Sequence, residues 1–242
     1  MLALVIDAIS RIDYAILHWI NGFARHSFAF DKIVEKIADL DFLNGAFLFI
    51  FIWWMWSRPS GDPFGNRLEA MRIFAVSWIT IVIARVLQIV PAHRLRPIHN
   101  DAVAFVQPFT ADPTAVMEHW SSFPSDHAAI YFALATAVWI RYRWLGAVAY
   151  LWVFVFGCVT RVYAGYHYPI DIIAGAIIGA ATMYLSEALP LPRPAIRLAE
   201  WVFSWERHHA ASFYCVAVAI TYESISLLYD IRVIGSGLAL LL

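Results

Sequence analysis

Charge is what this sequence has least of. Of its 242 residues 14% are charged and 62% are hydrophobic, and the mean hydropathy is +0.66. Soluble globular domains carry about 25% charged and about 45–50% apolar residues, so an ordinary soluble domain is excluded. Neither sign dominates: the net charge of −1 leaves no basic face for nucleic acid. Cysteine is scarce too. Cys158 and Cys215 both fall within apolar runs and read as small core residues, which excludes a disulfide framework and a zinc site. No low-complexity linker interrupts the chain. Its start does not read as a signal peptide: no basic residue precedes Arg11, and Asp7 breaks the apolar opening.

What is present is apolar length. A helix needs about 20 residues to cross a bilayer, and six runs approach that: 42–57, 70–92, 123–140, 144–162, 169–188 and 210–229. The expected fold is therefore all-α, a polytopic transmembrane helical bundle of about six spans, with the lipid bilayer as a partner. Residues 1–41 differ. The stretch Ile12-Asp13-Tyr14-Ala15-Ile16-Leu17-His18-Trp19-Ile20 is amphipathic, and 31–39 repeats the pattern, which suggests two short helices lying at the interface; an extra, poorly hydrophobic span is the other reading. Gly175 and Gly179 form a small-xxx-small pair suited to close helix packing.

Arginines set the expected orientation. Arg58, Arg67, Arg72, Arg141, Arg143, Arg193, Arg197 and Arg207 fall on one side, which is assigned to the cytoplasm. The other side holds the loop from 93 to 122 and the turn near 161–168, and is expected to face the periplasm or exterior of a plasma (inner) membrane. Arg11, Arg25, Lys32 and Lys36 fit this scheme less well.

Alternation of the spans brings three polar clusters to that outer side: Arg94-Leu95-Arg96-Pro97, Phe123-Pro124-Ser125-Asp126-His127, and Thr160-Arg161 through His167 to Asp171. Charges so near lipid are costly and mark function. Phosphate oxygens favour planar bidentate donors, which arginine supplies, so Arg96 and Arg161 are candidate ligands. Ser125 opens a helix, where free N–H groups favour an anion. His167 is the candidate nucleophile, since imidazole can hold a phosphoryl group covalently. Asp171, four residues on, can orient that ring and offset its charge. His127 is the candidate general acid. Each cluster alone has a plainer reading: an Arg-Pro helix end, a capped helix start, an interfacial histidine with a capping aspartate. Their order, with apolar spans between, points to one active site.

Together these clusters resemble the signature of the type-2 phosphatidate phosphatase superfamily, which also contains the soluble vanadium haloperoxidases. Its pattern is Lys-x6-Arg-Pro, Pro-Ser-Gly-His, and Ser-Arg-x5-His-x3-Asp, and the likeness covers roughly residues 85–180. The resemblance implies His167 as phosphorylated nucleophile, Asp171 as its partner, His127 as general acid, and Arg96, Ser125 and Arg161 as phosphate ligands, with no metal and no cofactor. The chain departs from the pattern at three places. Ile89 stands at the lysine position, with Arg85 one turn earlier; Arg85 either substitutes for the lysine or pairs with an acid such as Glu223. Asp126 stands where glycine is usual, and the Phe-Pro-Ser-Asp-His form resembles the undecaprenyl-diphosphatase branch. Thr160 replaces serine but keeps the hydroxyl.

The chain is thus expected to be one membrane-embedded lipid phosphatase domain over 1–242: an interfacial segment 1–41, a catalytic core 42–188, and an amphipathic linker with a last span over 189–242. A lipid phosphate is the expected substrate, undecaprenyl diphosphate first, phosphatidate or phosphatidylglycerol phosphate as alternatives. A non-enzymatic scaffold is the competing class; a transporter would place its polar groups at the bilayer midplane. Oligomeric state is not legible. Asp171→Asn is expected to cripple turnover without unfolding the protein.

Overall fold

The computed structural model describes residues 2–89, 93–111, 113 and 120–225. Helices form all of the regular structure there: α1 (Leu2–Asn21), α2 (Phe28–Asp39), the short α3 (Asp41–Asn44), α4 (Phe49–Ser57), α5 (Pro63–Ile89), α6 (Asp126–Arg141), α7 (Arg143–Trp152), α8 (Thr160–Tyr163), α9 (Pro169–Ala188), α10 (Arg193–His208) and α11 (Ala210–Ile225). A π-helical stretch, Val153–Val159, joins α7 to α8, so Arg143–Tyr163 is one continuous rod.

The chain folds as a polytopic all-α bundle. Three helices among the described residues are long and apolar enough to cross a membrane: Pro63–Ile89, Arg143–Tyr163 and Pro169–Ala188. Two of the other three expected spans are shorter, for local reasons. Ala46–Ser57 is preceded by a turn at Gly45 and ends at Arg58. α6 has 16 residues, fixed between the Ser125 cap and Tyr142. α11 is described to Ile225, and 226–229 of the expected span lie outside the described residues, as do 90–92 of the second. The second span starts earlier than expected because Pro63 sits in the first turn, where its missing N–H costs nothing. The linker after α9 forms the amphipathic α10, which packs Phe203 against Trp56 at a 5.5 Å centroid distance.

α6 is the central helix. It packs against α5, α7 and, most extensively, α9, and is buried nearly all round, as a helix apolar on every face should be. Its alanines let α9 approach until a Cβ at Gly179 would overlap the Ala129 carbonyl oxygen, and one at Gly175 that of Ser125. Gly179→Ala is therefore expected to destabilise the bundle by about 1–3 kcal/mol through overpacking, read as a lower melting temperature in detergent.

The helices sort their charges to two ends. At one end Arg141 pairs with Glu69 and Glu187, Arg72 with Glu187, and Arg67 with Glu206. At the other end lie the C-terminal part of α5, the N-termini of α6 and α9, and the end of α8. The three polar clusters meet there.

Candidate active site

The loop before α6 is tied to the first turn of α9 by backbone and to α5 by a side chain. Ser125 N donates to the Asp171 carbonyl at 3.0 Å, and Gln88 Nε2 on α5 donates to the Pro124 carbonyl at 2.9 Å. Ile98 N bonds the Gly165 carbonyl at 3.0 Å, which fastens the Arg-Pro segment to the turn after α8. Gly165 takes φ +77°, and a side chain there would also strike the Phe105 ring, so only glycine closes that turn without strain.

His167 is 1% exposed. Its Nδ1 lies 2.9 Å from the Ser122 carbonyl oxygen. A carbonyl only accepts, so Nδ1 carries the proton and Nε2 holds the free lone pair. That nitrogen faces Arg96 Nη1 at 3.4 Å. Burial lowers the His167 pKa to about 4, more than the neighbouring Asp171 raises it. The ring is neutral at pH 7, the state a nucleophile requires. Arg96 is held by the Tyr166 carbonyl, which accepts from Nη1 at 2.7 Å. The Nε atoms of Arg96 and of the buried Arg161 have no hydrogen-bond partner within the protein. Arg58, Arg67 and Arg72 at the opposite end share that feature, so it is the approach of Arg96 to His167 Nε2, not the free Nε, that sets this site apart.

Asp171 is fully buried in the first turn of α9. Its Oδ2 accepts from Tyr168 N at 2.8 Å and lies 3.8 Å from His167 Nδ1. That separation lets it offset charge on the ring but is too long for a hydrogen bond; the ring is oriented by Ser122 instead. Asp171 Oδ1 pairs with Arg94 at 2.6 Å, and Arg94 reaches on to the buried Asp13 of α1 at 2.7 Å. Arg94 Cζ also sits 3.7 Å from the Tyr168 ring centroid. The expected orienter is therefore also the middle of a buried charge chain that docks the N-terminal helix.

His127 stands at the start of α6, beside Asp126 and facing Asp41 of α3. Asp41 Oδ1 lies 3.3 Å from His127 Nε2 and 3.1 Å from Arg161 Nη2. Against the cost of burial, His127 and Arg161 hold this carboxyl below its ordinary pKa. An anion bridging His127 and Arg161 is thus already stable here, and it is a carboxylate from the N-terminal segment. Ser125 is fully buried and caps α6, its Oγ accepting from Ala128 N at 3.4 Å. Arg85 pairs with Asp126 Oδ2 at 2.6 Å, a partner the sequence did not suggest. The structure brings His167 to Arg96, and His127 to Arg161 across Asp41. It adds Ser122, Asp41, Arg94 and Asp13, whose parts depend on contacts distant in sequence.

Residues 70–193 match the PAP2 superfamily. The chain belongs to that superfamily. It is 31% identical over 115 residues to a bacitracin transport permease protein BcrC of Bacillus licheniformis, covering 43% of this chain and 56% of the relative. It is 33% identical over 116 residues to an undecaprenyl-diphosphatase of Sulfolobus acidocaldarius, covering 45% and 52%. A lipid A 4'-phosphatase of Bacteroides thetaiotaomicron is 51% identical over 59 residues, covering 24% and 26%. The matches span about half the length of the first two of these relatives. The match to the superfamily encloses Arg96, Ser125, His127, Arg161, His167 and Asp171.

Proposed function

We propose that this chain is an integral-membrane lipid phosphatase that removes the terminal phosphate of undecaprenyl diphosphate through a phosphohistidine, recycling a carrier lipid at the outer leaflet. The observation that carries the reading is the neutral His167, its Nε2 lone pair aimed at Arg96. Arg96 and Arg161, with unpartnered Nε atoms, hold the terminal phosphate. His167 Nε2 attacks phosphorus, and the bond from phosphorus to the bridging oxygen breaks. His127 gives its Nε2 proton to the departing lipid phosphate, in the place where Asp41 Oδ1 now lies 3.3 Å from it. The Asp171 carboxylate offsets the positive charge that develops on the His167 ring. In the second step His127 takes a proton from water, which attacks phosphorus and releases inorganic phosphate and free His167. No step requires a metal ion. An open apolar groove of about 580 Å³ begins at Phe42 and Leu43, beside Asp41, and runs along α4 and α7, which suits a lipid chain. The undecaprenyl-diphosphatase relative supports this choice of substrate.

The test is phosphate release by the detergent-purified chain in EDTA, with undecaprenyl diphosphate, phosphatidate and phosphatidylglycerol phosphate side by side and His167→Ala as blank. Preference for the diphosphate, unaffected by EDTA, is expected. Strict metal dependence would sink the mechanism. Preference for a glycerolipid would keep the site and change the substrate, and no release above the blank would return the scaffold reading.

A further inference from the structure

Two of the departures from the superfamily pattern meet in space. Asp126 stands where the pattern has glycine, and Arg85 lies one turn before the position where it has lysine. Asp126 is 4% exposed, and its two oxygens have separate duties. Oδ1 accepts from His127 Nδ1 at 2.9 Å and from His127 N at 2.8 Å. Oδ2 holds Arg85 at 2.6 Å. Arg85 is committed elsewhere as well: Nη1 donates to Gln88 at 3.3 Å, and Cζ lies 4.6 Å from the Trp120 ring centroid.

We propose that Asp126 is a positioning residue for His127, with Arg85 as its counter-ion. The pair forms a carboxylate–imidazole unit on the leaving-group side of the site. The inference rests on the reading of His127 as proton carrier. A carboxylate can only accept, so Nδ1 is the protonated nitrogen of the neutral ring and Nε2 is the one that gives and takes the working proton. Nε2 faces Asp41, which is shared with Arg161 and with the Tyr131 hydroxyl at 3.4 Å. Asp126 therefore fixes which nitrogen works and where it points. Its carboxylate charge lies against the ring and is shared with Arg85. Arg85 serves the acid rather than the phosphate, which accounts for an arginine displaced from the lysine position.

The charged and titratable groups facing His127 are Asp126 and Asp41 directly, Arg85 and Arg161 through them, with Arg96 and the neutral His167 ring near Asp126. Removing the two partners in turn should move His127 in opposite directions, and a loss of kcat with KM nearly unchanged separates positioning from a purely structural ion pair. The experiment compares wild type, Asp126→Asn and Arg85→Met by the pH profile of kcat on undecaprenyl diphosphate. In parallel, NMR titration of ring-labelled histidine, assigned with His127→Gln, reads the ring without catalysis. Asp126→Asn is expected to lower kcat about 10–100-fold with KM nearly unchanged, and to move the His127 titration to lower pH. Arg85→Met should move it to higher pH. Should Asp126→Asn fail to fold, Asp126→Gly, the residue of the superfamily pattern, gives the same downward shift. A tenfold rise in KM for Arg85→Met without a titration shift would make Arg85 a phosphate ligand and overturn the proposal, as would identical titrations in all variants. Full activity of His127→Gln would instead overturn the functional reading, while the NMR shifts would still report on Asp126.

Discussion

His167→Ala is expected to lower phosphate release by on the order of 10⁴-fold or more, since removing a nucleophile leaves only binding and electrostatic stabilisation. KM should change little, because Arg96 and Arg161 remain to hold the phosphate. Rapid quench of wild type with terminally labelled substrate should trap an acid-labile, base-stable phosphoprotein, absent from His167→Ala. Labelling of the alanine variant would move the nucleophile to another residue. The stability effect should be opposite in character. His167 is buried and neutral, with its pKa lowered from 6.5 to about 4 by burial. Between those values the unfolded chain binds a proton that the folded chain refuses, so wild type loses stability as pH falls from about 6.5 towards 4. His167→Ala removes that loss and should show a flatter melting temperature over this window, measured against pH in detergent.

The parts of this site that were legible in the sequence are those fixed by local chemistry. Pro169 followed by an apolar run broken near its start only by Asp171 marked α9, and the helix spans 169–188 as expected. Arg96 and Ser125 share the connection from α5 to α6, and α6 with the α7–α8 rod separates them and His127 from Arg161, His167 and Asp171, yet antiparallel alternation returns all six to one end. The contacts made between distant segments were not legible. Asp13 and Asp41 belong to an amphipathic stretch in which any acid reads as a solvated face, and nothing local tells that they accept from Arg94 and from His127. Ser122 acts through its carbonyl oxygen, which no side-chain pattern records. Arg85 was left between catalysis and Glu223; its carboxylate partner is Asp126, because the end of α5 lies against the start of α6. Span lengths were blurred for a related reason. An alanine-rich helix such as α6, buried within the bundle, needs less length than one facing lipid, and hydropathy alone does not separate the two.

Asp171→Asn is expected to lower both activity and stability, whereas the sequence suggested a loss of activity alone. The asparagine oxygen can still accept from Tyr168 N, so the start of α9 survives. What goes is the charge, which offsets the His167 ring at 3.8 Å and binds Arg94 at 2.6 Å. Stranding a buried charge costs about 3–5 kcal/mol, but Arg94 keeps Asp13 at 2.7 Å. The loss should therefore approach that of one charge-assisted hydrogen bond, about 1.5–3 kcal/mol, or about 5–10 °C in melting temperature. Turnover should fall about 10²-fold, less than for a carboxylate bonded directly to its imidazole, because Ser122 still orients the ring. Arg94→Met isolates the structural share. It should lower the melting temperature comparably while leaving Asp171 beside His167, with kcat within about tenfold of wild type. If Arg94→Met and Asp171→Asn lose kcat equally, the charge chain from Asp13 and not the Asp171–His167 proximity governs the nucleophile. If Asp171→Asn keeps its melting temperature, the Arg94 bridge contributes nothing to folding, and Asp171 serves the imidazole alone.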